Sequence, residues 1–221
     1  MHPNRRPHNE AVYVAIDAFI ERHVDLYRGV LIDLGCGEAP YRTFFEQHAQ
    51  RYVGVDWSGA RGRDVVADLN RSLPFADGVA ETVVSISVLE HLSEPERMLS
   101  EAFRILRPGG HLLLQVPFQW HVHEAPHDFF RYTRYGLEHL LKKAGFIDVD
   151  VAPMTGFWTM WVLKLNYQTM RLIRGPRAAR WLVRQALRPL WWLDQSAARA
   201  LDRVWPAEGE TAGYAVTATR P

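Results

Sequence analysis

Cysteine is nearly absent from this 221-residue sequence: the single Cys36 excludes an internal disulfide and a cysteine metal cluster. The formal net charge is only +1, so overall charge gives no attraction to nucleic acid. The first residues, MHPNRRPHNE, have no apolar run behind their basic residues, and no secretory signal is expected. No segment reaches the roughly 18 uncharged apolar residues of a membrane span. We therefore expect a protein of the reducing cytoplasm without a nucleic-acid partner.

Short apolar segments alternate with segments of helical periodicity, and 48% apolar residues supply a sizeable core. We expect strands at 30–35, 51–57, 64–69, 82–88, 111–117, 146–153 and 213–219. We expect helices at 9–26, 41–49, 95–106 and 134–144, with the sequence RPGG at 107–110 as a turn before a strand. This alternation predicts one α/β domain over 1–221, with a mainly parallel sheet and helices on both faces.

A glycine-rich turn, DLGCGE, follows the first predicted strand. In a doubly wound sheet, ligands bind beyond the carboxyl ends of the strands, and glycine lets the backbone approach a ligand closely. Asp56 ends the second strand, where a carboxylate can accept hydrogen bonds from two ribose hydroxyls. To this point, a nicotinamide dinucleotide and S-adenosylmethionine fit the turn equally well.

Two details of the turn favour the methyl donor. The third glycine of the GxGxxG pattern, which would let a helix pack closely under a pyrophosphate, is replaced here by Pro40. Asp33 and Glu38 flank the turn and would repel a pyrophosphate, whereas they would attract an ammonium and a sulfonium. Opposite charges about 4 Å apart attract by roughly 1 to 4 kcal/mol at the dielectric constants of protein surfaces. The turn is therefore predicted to prefer a cationic ligand.

Four segments together resemble the class I S-adenosylmethionine-dependent methyltransferases, specifically the type 11 group: DLGCG, GVD, DLNRSLPFADGVAETVVSISVLEHLSEP and EAFRILRPGGHLLLQVP. The resemblance covers about 29–151 and implies a Rossmann-like, doubly wound seven-stranded sheet with a reversed last strand. It also implies that the glycine turn holds the methionine part of the cofactor, that Asp56 binds the ribose, and that Trp57 and Asp68 lie at the adenine. We read Cys36 as a small apolar filler of the turn and not as a nucleophile. The cofactor-binding residues expected from the resemblance are Asp33, Gly35, Cys36, Gly37, Asp56, Trp57, Asp68, Leu69, Ser87 and Val88.

Histidines and carboxylates crowd the segment that follows the fifth predicted strand, PFQWHVHEAPHDFFRYTRY at 117–135. Three interpretations stay open: a metal site, an acceptor pocket with a histidine base, and a loop whose polar groups satisfy one another. We favour the acceptor pocket and expect no metal, because Pro126 interrupts the segment and no regular i,i+4 pair occurs. The candidate bases are His127, His123 and His91, and the candidate substrate-binding residues are Trp120, His121, Asp128, Arg131 and Tyr132.

Residues 157–205 form a predicted helical insertion before the last strand. They contain six of the eight tryptophans, and nine basic residues against Asp194 and Asp202 give this segment a charge of +7. On an ideal helix, one arc carries arginine and another carries apolar side chains, a composition typical of helices at a membrane surface. A helical cap on the core and a homodimer interface are the alternatives. The arginine arc is Arg174, Arg177, Arg180, Arg184 and Arg188, and the apolar arc is Ala179, Leu182, Val183, Ala186, Leu190 and Leu193.

These observations predict a methyltransferase of the cytoplasm, peripheral to the membrane if the insertion contacts lipid. The segment PHDFFRYT resembles one found in type 11 enzymes of sugar and envelope-polymer pathways, which implies O-methylation of a glycan-related or lipid-linked small acceptor. Two alternatives belong to other classes: a nicotinamide-dependent reductase, and a non-catalytic protein that only binds the cofactor.

Overall fold

The computed structural model of the chain describes residues 2, 4–57, 61–207 and 209–221. Its seven strands form one sheet in the order β3-β2-β1-β4-β5-β7-β6, and β7 is antiparallel to both of its neighbours. The predicted seven-stranded sheet with a reversed last strand is therefore confirmed. The strands are β1 (Val30–Leu34), β2 (Arg51–Asp56), β3 (Val65–Val66), β4 (Ala80–Ile86), β5 (Leu106–Pro117), β6 (Ile147–Pro153) and β7 (Gly213–Thr219).

Helices cover both faces of the sheet, because its central strands are apolar on both sides. Met98 and Leu99 of the third helix pack in one buried cluster, whereas Ile20 and Phe45 of the first two helices pack in a second cluster. The helices are α1 (Glu10–Arg22), α2 (Arg42–His48), α3 (Pro95–Ile105), α4 (Arg134–Ala144), α5 (Phe157–Leu172) and α6 (Arg177–Val204). Of the described helices, none is both long enough and apolar enough to cross a bilayer.

Two predicted elements are shorter in the structure, so their predicted boundaries were wrong. The helix predicted over 9–26 ends at Arg22, where the ring of His23 bonds to the carbonyl of Phe19 and a short 3₁₀ turn follows. The strand predicted over 64–69 is only two residues long, because the Asp68 carboxylate accepts a hydrogen bond from the backbone of Asn70 and starts a turn. Local side-chain bonds to the backbone end both elements earlier than their apolar patterns suggest.

The RPGG sequence at 107–110 is a bulge within β5 and not a turn before it. Leu106 pairs with Ala80 and His111 pairs with Thr82, so four residues bulge out where the partner strand has one. Gly109 has φ +76° at this bulge, and its backbone N–H donates to the carbonyl of Arg220. The strand therefore begins earlier than predicted, since β7 and its C-terminal extension hold the bulged segment.

The helical insertion lies between β6 and β7, as predicted, and consists of α5 and α6 separated by a break at 173–176. Asp202 of α6 caps the start of α5, since its carboxylate accepts hydrogen bonds from the backbone of Gly156, Trp158 and Thr159. The buried Gln195 joins α6 to the N-terminal segment: its Oε1 accepts from the backbone of Ala11 at 2.8 Å. The insertion thus holds the beginning of the chain in place.

Candidate active site

The glycine turn after β1 is tied to the end of β2. The backbone N–H groups of Gly35 and Cys36 both donate to the carbonyl of Val55, at 2.8 and 3.1 Å. Gly35 has φ +83°, and a Cβ there would lie 2.3 Å from Cγ2 of Val88. Gly37 also has a positive φ, +55°, but a Cβ there would meet open space. The first glycine is therefore required by packing, whereas the second leaves room in front of the turn.

A cavity of about 390 Å³ opens in front of this turn. The turn forms one wall, the ends of β4 and β5 form the floor, and the loop after β5 forms the opposite wall. Of the predicted site residues, nine line the cavity: Asp33, Gly35, Cys36, Gly37, Ser87, His91, Trp120, His121 and His123. The predicted cofactor turn and the predicted acceptor loop therefore face the same space.

Asp33 carries a buried carboxyl group at the wall of the cavity. Burial raises its pKa to about 6, although the hydroxyl of Tyr52 donates to Oδ2 at 2.7 Å and partly opposes the rise. Only 6% of the residue is exposed. A cation in the cavity would stabilise the ionised form that burial disfavours. The electrostatics of the turn therefore favour a positively charged ligand.

The residues predicted to bind the ribose and adenine lie in different surroundings. Asp56 uses Oδ2 to accept the N–H of Gly37 at 2.8 Å, so it also fixes the turn. Trp57 is 60% exposed, and its ring meets that of His127 edge to face. Asp68 is exposed and bonds to Asn70, as a loop-capping carboxylate does. Leu69 is buried in the core, and none of these four residues is among those that line the cavity.

Ser87 and Gln115 form the floor of the cavity at the ends of β4 and β5. Ser87 has φ +55°, and its hydroxyl donates to Oε1 of Gln115 at 2.5 Å. Val88, the last of the predicted cofactor residues, packs over Gly35. Sequence reasoning missed Gln115, although it is the one polar residue in the apolar run LLLQVP. A lone polar side chain at the carboxyl end of a buried strand was the available signal.

An ion pair organises the loop after β5. Both terminal nitrogens of Arg131 donate to the Asp128 carboxylate at 2.7 Å, which holds the pKa of Asp128 well below its usual range. The same carboxylate accepts the backbone N–H of His123 at 2.9 Å. The buried Tyr132 donates its hydroxyl to the carbonyl of Leu89 at 3.0 Å. These three predicted substrate-binding residues stabilise the loop and do not line the cavity.

The candidate histidines differ in position. His91, His121 and His123 line the cavity, whereas His127 does not. His127 contributes through its backbone, since its carbonyl accepts a hydrogen bond from Nδ1 of His91 at 2.8 Å. Burial lowers the pKa of His121 to about 4, so its ring is neutral at physiological pH. Of the candidate histidines predicted from the sequence, those with side chains available to an acceptor are therefore His91, His121 and His123.

Glu90 is a further polar residue of the site that sequence reasoning missed. Its side chain is fully buried, and burial raises its pKa to about 8. Among the residues that the structure describes, neither carboxyl oxygen has a hydrogen-bond partner. Oε1 lies 3.6 Å from Nε2 of His91 and 3.9 Å from Nε2 of His123. The loop folds back here because the backbone N–H groups of Phe129 and Phe130 donate to the Glu90 carbonyl.

The N-terminal segment forms the outer wall of the cavity, which the sequence also did not reveal. His2, Asn4 and Tyr13 line it, and the rings of His2 and Tyr13 are stacked with their centroids 4.6 Å apart. Tyr167 of α5 completes this wall. The first and last thirds of the chain therefore meet at the site.

Comparison with known proteins agrees with this geometry. Residues 32–114, from β1 to β5, match the family model "Methyltransferase domain" of the type 11 group. Over this region the chain is similar to the type 11 class I methyltransferases. A Mycolicibacterium smegmatis protein named "Probable S-adenosylmethionine-dependent methyltransferase" is 33% identical over 96 residues, which are 39% of this chain and 37% of that protein. The matched region thus spans about a third of the length of such curated relatives.

Solved structures share the methyltransferase fold over nearly the whole chain. Phosphoethanolamine N-methyltransferase 2 of Haemonchus contortus, in complex with S-adenosyl-L-methionine, has a TM-score of 0.61 at 17% identity, covering 95% of this chain and 52% of that one. A methyltransferase of Archaeoglobus fulgidus has the same TM-score at 15% identity, covering 95% and 94% of the two chains. At these identities the likeness concerns the fold alone.

The cofactor of the matched domain is S-adenosylmethionine. The residues present fit it, because the buried Asp33 faces the cavity and because the open space in front of Gly37 admits a ligand close to the backbone. Cys36 lies in the same wall, and burial raises the pKa of its thiol to about 12. A protonated thiol is a poor nucleophile, which agrees with its interpretation as a small filler.

Proposed function

We propose that this methyltransferase transfers the methyl group of S-adenosylmethionine to a hydroxyl oxygen of a small, glycan-related or lipid-linked acceptor. The observation that carries the proposal is the single cavity shared by the cofactor turn and three histidines. When bound, the cofactor supplies a methyl group activated by a positively charged sulfur. Methyl transfer to a hydroxyl depends on alignment of the two reactants and on removal of the hydroxyl proton.

The proposed roles follow from position. The turn at Gly35 and Gly37 receives the methionine part of the cofactor, Asp33 stabilises its positive charge, and Asp56 receives the ribose. Ser87 lies at the junction between the cofactor end and the acceptor end, where Gln115 holds its hydroxyl. The acceptor binds beyond this junction.

The acceptor end is bounded by Trp120 and by the imidazoles of His91, His121 and His123. The rings of Trp120 and His121 are tilted by 30° to each other, with their centroids 5.1 Å apart. This wall combines a flat apolar surface with hydrogen-bonding nitrogens, which suits a polyhydroxylated ring. His91 and His123, next to Glu90, are the groups proposed to act on the hydroxyl proton.

Calorimetry tests the cofactor part of the proposal. S-adenosylhomocysteine should bind with a dissociation constant in the micromolar range, about −8 kcal/mol, whereas NAD should not bind. The reductase alternative requires the reverse result. A protein that binds the cofactor yet methylates no acceptor in a panel of saccharides and lipid-linked saccharides would support the non-catalytic alternative instead.

We further propose that α6 contacts an anionic membrane surface. All six residues of the predicted apolar arc are exposed, and the core side of α6 is formed instead by Trp191, Gln195 and Ala198. An exposed apolar stripe of this kind marks an interaction surface. Because these six side chains are exposed, the apolar arc does not pack on the core as a helical cap would.

Charge favours lipid over a second copy of the chain. The two acidic residues of the insertion are bonded within the molecule: Asp194 accepts from Asn166, and Asp202 caps α5. The arginines of α6 therefore have no compensating acid of the insertion, and two such helices would repel each other in a symmetric dimer. Each arginine near an anionic bilayer contributes about 1 kcal/mol to binding.

Co-sedimentation with vesicles tests this surface. Wild-type protein should bind vesicles rich in anionic lipid at low salt and dissociate as salt rises, because the attraction is screened. Arg177, Arg180, Arg184 and Arg188 changed together to Glu should prevent binding. A wild-type protein that ignores anionic vesicles but forms a dimer that this variant splits would establish the subunit interface instead.

A further inference from the structure

Glu90 is completely buried and follows β4 in the 3₁₀ turn Leu89–His91. Within the part of the chain that the structure describes, neither of its carboxyl oxygens has a hydrogen-bond partner. A buried carboxyl group that makes no hydrogen bond is costly, and a buried carboxylate needs a cation or several donors close by. Such a group in a native site indicates a ligand that binds there.

One nitrogen of each of two imidazole rings lies near the carboxyl group of Glu90. Nε2 of His91 and Nε2 of His123 lie 3.6 and 3.9 Å from Oε1 of Glu90. The Nδ1 atom of His91 must donate its proton, because its partner at 2.8 Å is the carbonyl of His127. Its Nε2 therefore carries a lone pair directed at the carboxyl group. In metal sites, a histidine ligand characteristically donates its other ring N–H to a carbonyl or carboxylate in this way.

The second histidine is held by the ion pair of the loop. Nδ1 of His123 lies 3.4 Å from both the Asp128 carboxylate and the Arg131 guanidinium, and its backbone N–H donates to Asp128. The ring is thus oriented from behind, with Nε2 toward Glu90. Both imidazoles are positioned by contacts that leave Nε2 available.

We propose that Glu90, His91 and His123 form a binding site for a divalent transition-metal ion of the Zn²⁺ type. Two histidines and one glutamate are a known ligand set of catalytic zinc sites, which keep a further position open. The three donor atoms lie within 4.8 Å of one another. Atoms bonded to one metal at about 2.1 Å are about 3 to 4 Å apart, so small side-chain rotations close the site. This proposal replaces our expectation from the sequence that no metal binds.

The open position of the ion would face the cavity, since His91, His123 and the exposed Glu124 all line it. Oε2 of Glu124 lies 3.9 Å from Nε2 of His91, which makes it a fourth ligand within reach. A role for the ion in the reaction rests on the proposed function. In that role, the ion would bind the acceptor hydroxyl and lower the pKa of that hydroxyl, as metal ions do for bound water. Binding of the ion itself does not depend on that role.

Calorimetry on chelator-treated protein tests the site. Wild-type protein should bind one equivalent of Zn²⁺, and Glu90→Gln and His123→Ala should each weaken binding by about 100-fold or more. His127→Ala is the matched control, because it keeps the carbonyl that holds His91 and should leave the affinity unchanged. When Co²⁺ is added, only the wild-type protein and the His127→Ala control should show the visible absorption of a site with nitrogen ligands.

Binding of S-adenosylhomocysteine, measured on every variant, shows that the fold is intact and tests the cofactor site separately. In NMR spectra of wild-type protein, the ring resonances of His91 and His123 should shift when Zn²⁺ is added. This measurement does not depend on the folding of any variant. Absence of Zn²⁺ binding, or equal affinity in Glu90→Gln, would overturn the metal site. Zn²⁺ binding without S-adenosylhomocysteine binding would overturn the proposed function and leave the metal site standing.

Discussion

Replacing Asp33 by Asn should stabilise the ligand-free protein and weaken cofactor binding at the same time. Burial raises the pKa of Asp33 to about 6 from 3.8. Because the folded protein holds this proton more tightly than the unfolded chain, the stability that protonation provides is complete below about pH 4. It is lost as the pH rises through 6, and above pH 7 the ionised carboxylate costs about 3 kcal/mol. An amide of the same shape avoids this cost and still accepts the hydroxyl hydrogen of Tyr52.

Cofactor binding should change in the opposite direction. The α-ammonium of S-adenosylhomocysteine loses an opposite charge in the cavity, and at about 4 Å this attraction is worth roughly 1 to 4 kcal/mol. The dissociation constant should therefore rise by about 5-fold to nearly 1000-fold. A carboxylate that only stabilises the turn would give the reverse pattern, with lower stability and nearly unchanged affinity.

Thermal unfolding and calorimetry at two pH values separate these outcomes. At pH 8, the midpoint of unfolding of Asp33→Asn should exceed that of wild type by several degrees, since 1 kcal/mol corresponds to about 2 to 4 °C at this size. At pH 5 the difference should fall to about half, because wild-type Asp33 is then mostly protonated. In Tyr52→Phe, the loss of affinity at acidic pH should begin about one pH unit higher. Lower stability of Asp33→Asn at pH 8 would refute the reasoning.

Three further changes test other parts of the structure. Gly37→Ala and Gly109→Ala both place a Cβ in open space at positive φ and should each lose about 1 kcal/mol of stability in chemical denaturation, but only Gly37→Ala should lose affinity for S-adenosylhomocysteine. Arg131→Ala leaves a buried carboxylate unpaired and should lower the free energy of unfolding by about 3 kcal/mol, whereas Arg71→Ala at an exposed ion pair should be nearly neutral. Gln195→Ala should speed hydrogen exchange at the start of α1 and weaken cofactor binding in calorimetry; unchanged exchange there would contradict the link between the insertion and the N-terminal wall.

The sheet and the cofactor turn were predictable because their signals are local. The apolar run of β1, the glycines after it and Asp56 lie within one strand–helix–strand unit, and their spacing determines where they meet. The contact of Glu90 with the histidines proposed to act on the acceptor was not predictable from the sequence. Glu90 and His123 meet only because the loop after β5 folds back onto the turn after β4, and no sequence period describes that contact.

The insertion shows a different limit. Its helical periodicity placed Arg177, Arg180, Arg184 and Arg188 on α6, apart from the apolar arc. Arg174, the first residue of the predicted arc, lies instead in the break before α6, where Gly175 and Pro176 interrupt the helix. Periodicity alone could not tell which side of the helix packs on the domain. The structure uses the side that continues the arginine arc, since Trp191 and Gln195 lie seven residues after Arg184 and Arg188. A buried glutamine on that side is explained by tertiary bonds to the N-terminal segment, which a single-sequence pattern does not contain.

The position of the insertion in the sheet has a consequence for how the protein can vary. Residues 154–212 connect β6 to β7, two strands that lie side by side and run antiparallel. A connection of about 60 residues costs only about 1.6 kcal/mol more loop-closure entropy than one of about 10. The sheet therefore tolerates large changes of length here at little thermodynamic cost. New helices can be added or exchanged at this point, and each such change alters the outer wall of the cavity while the cofactor turn stays intact.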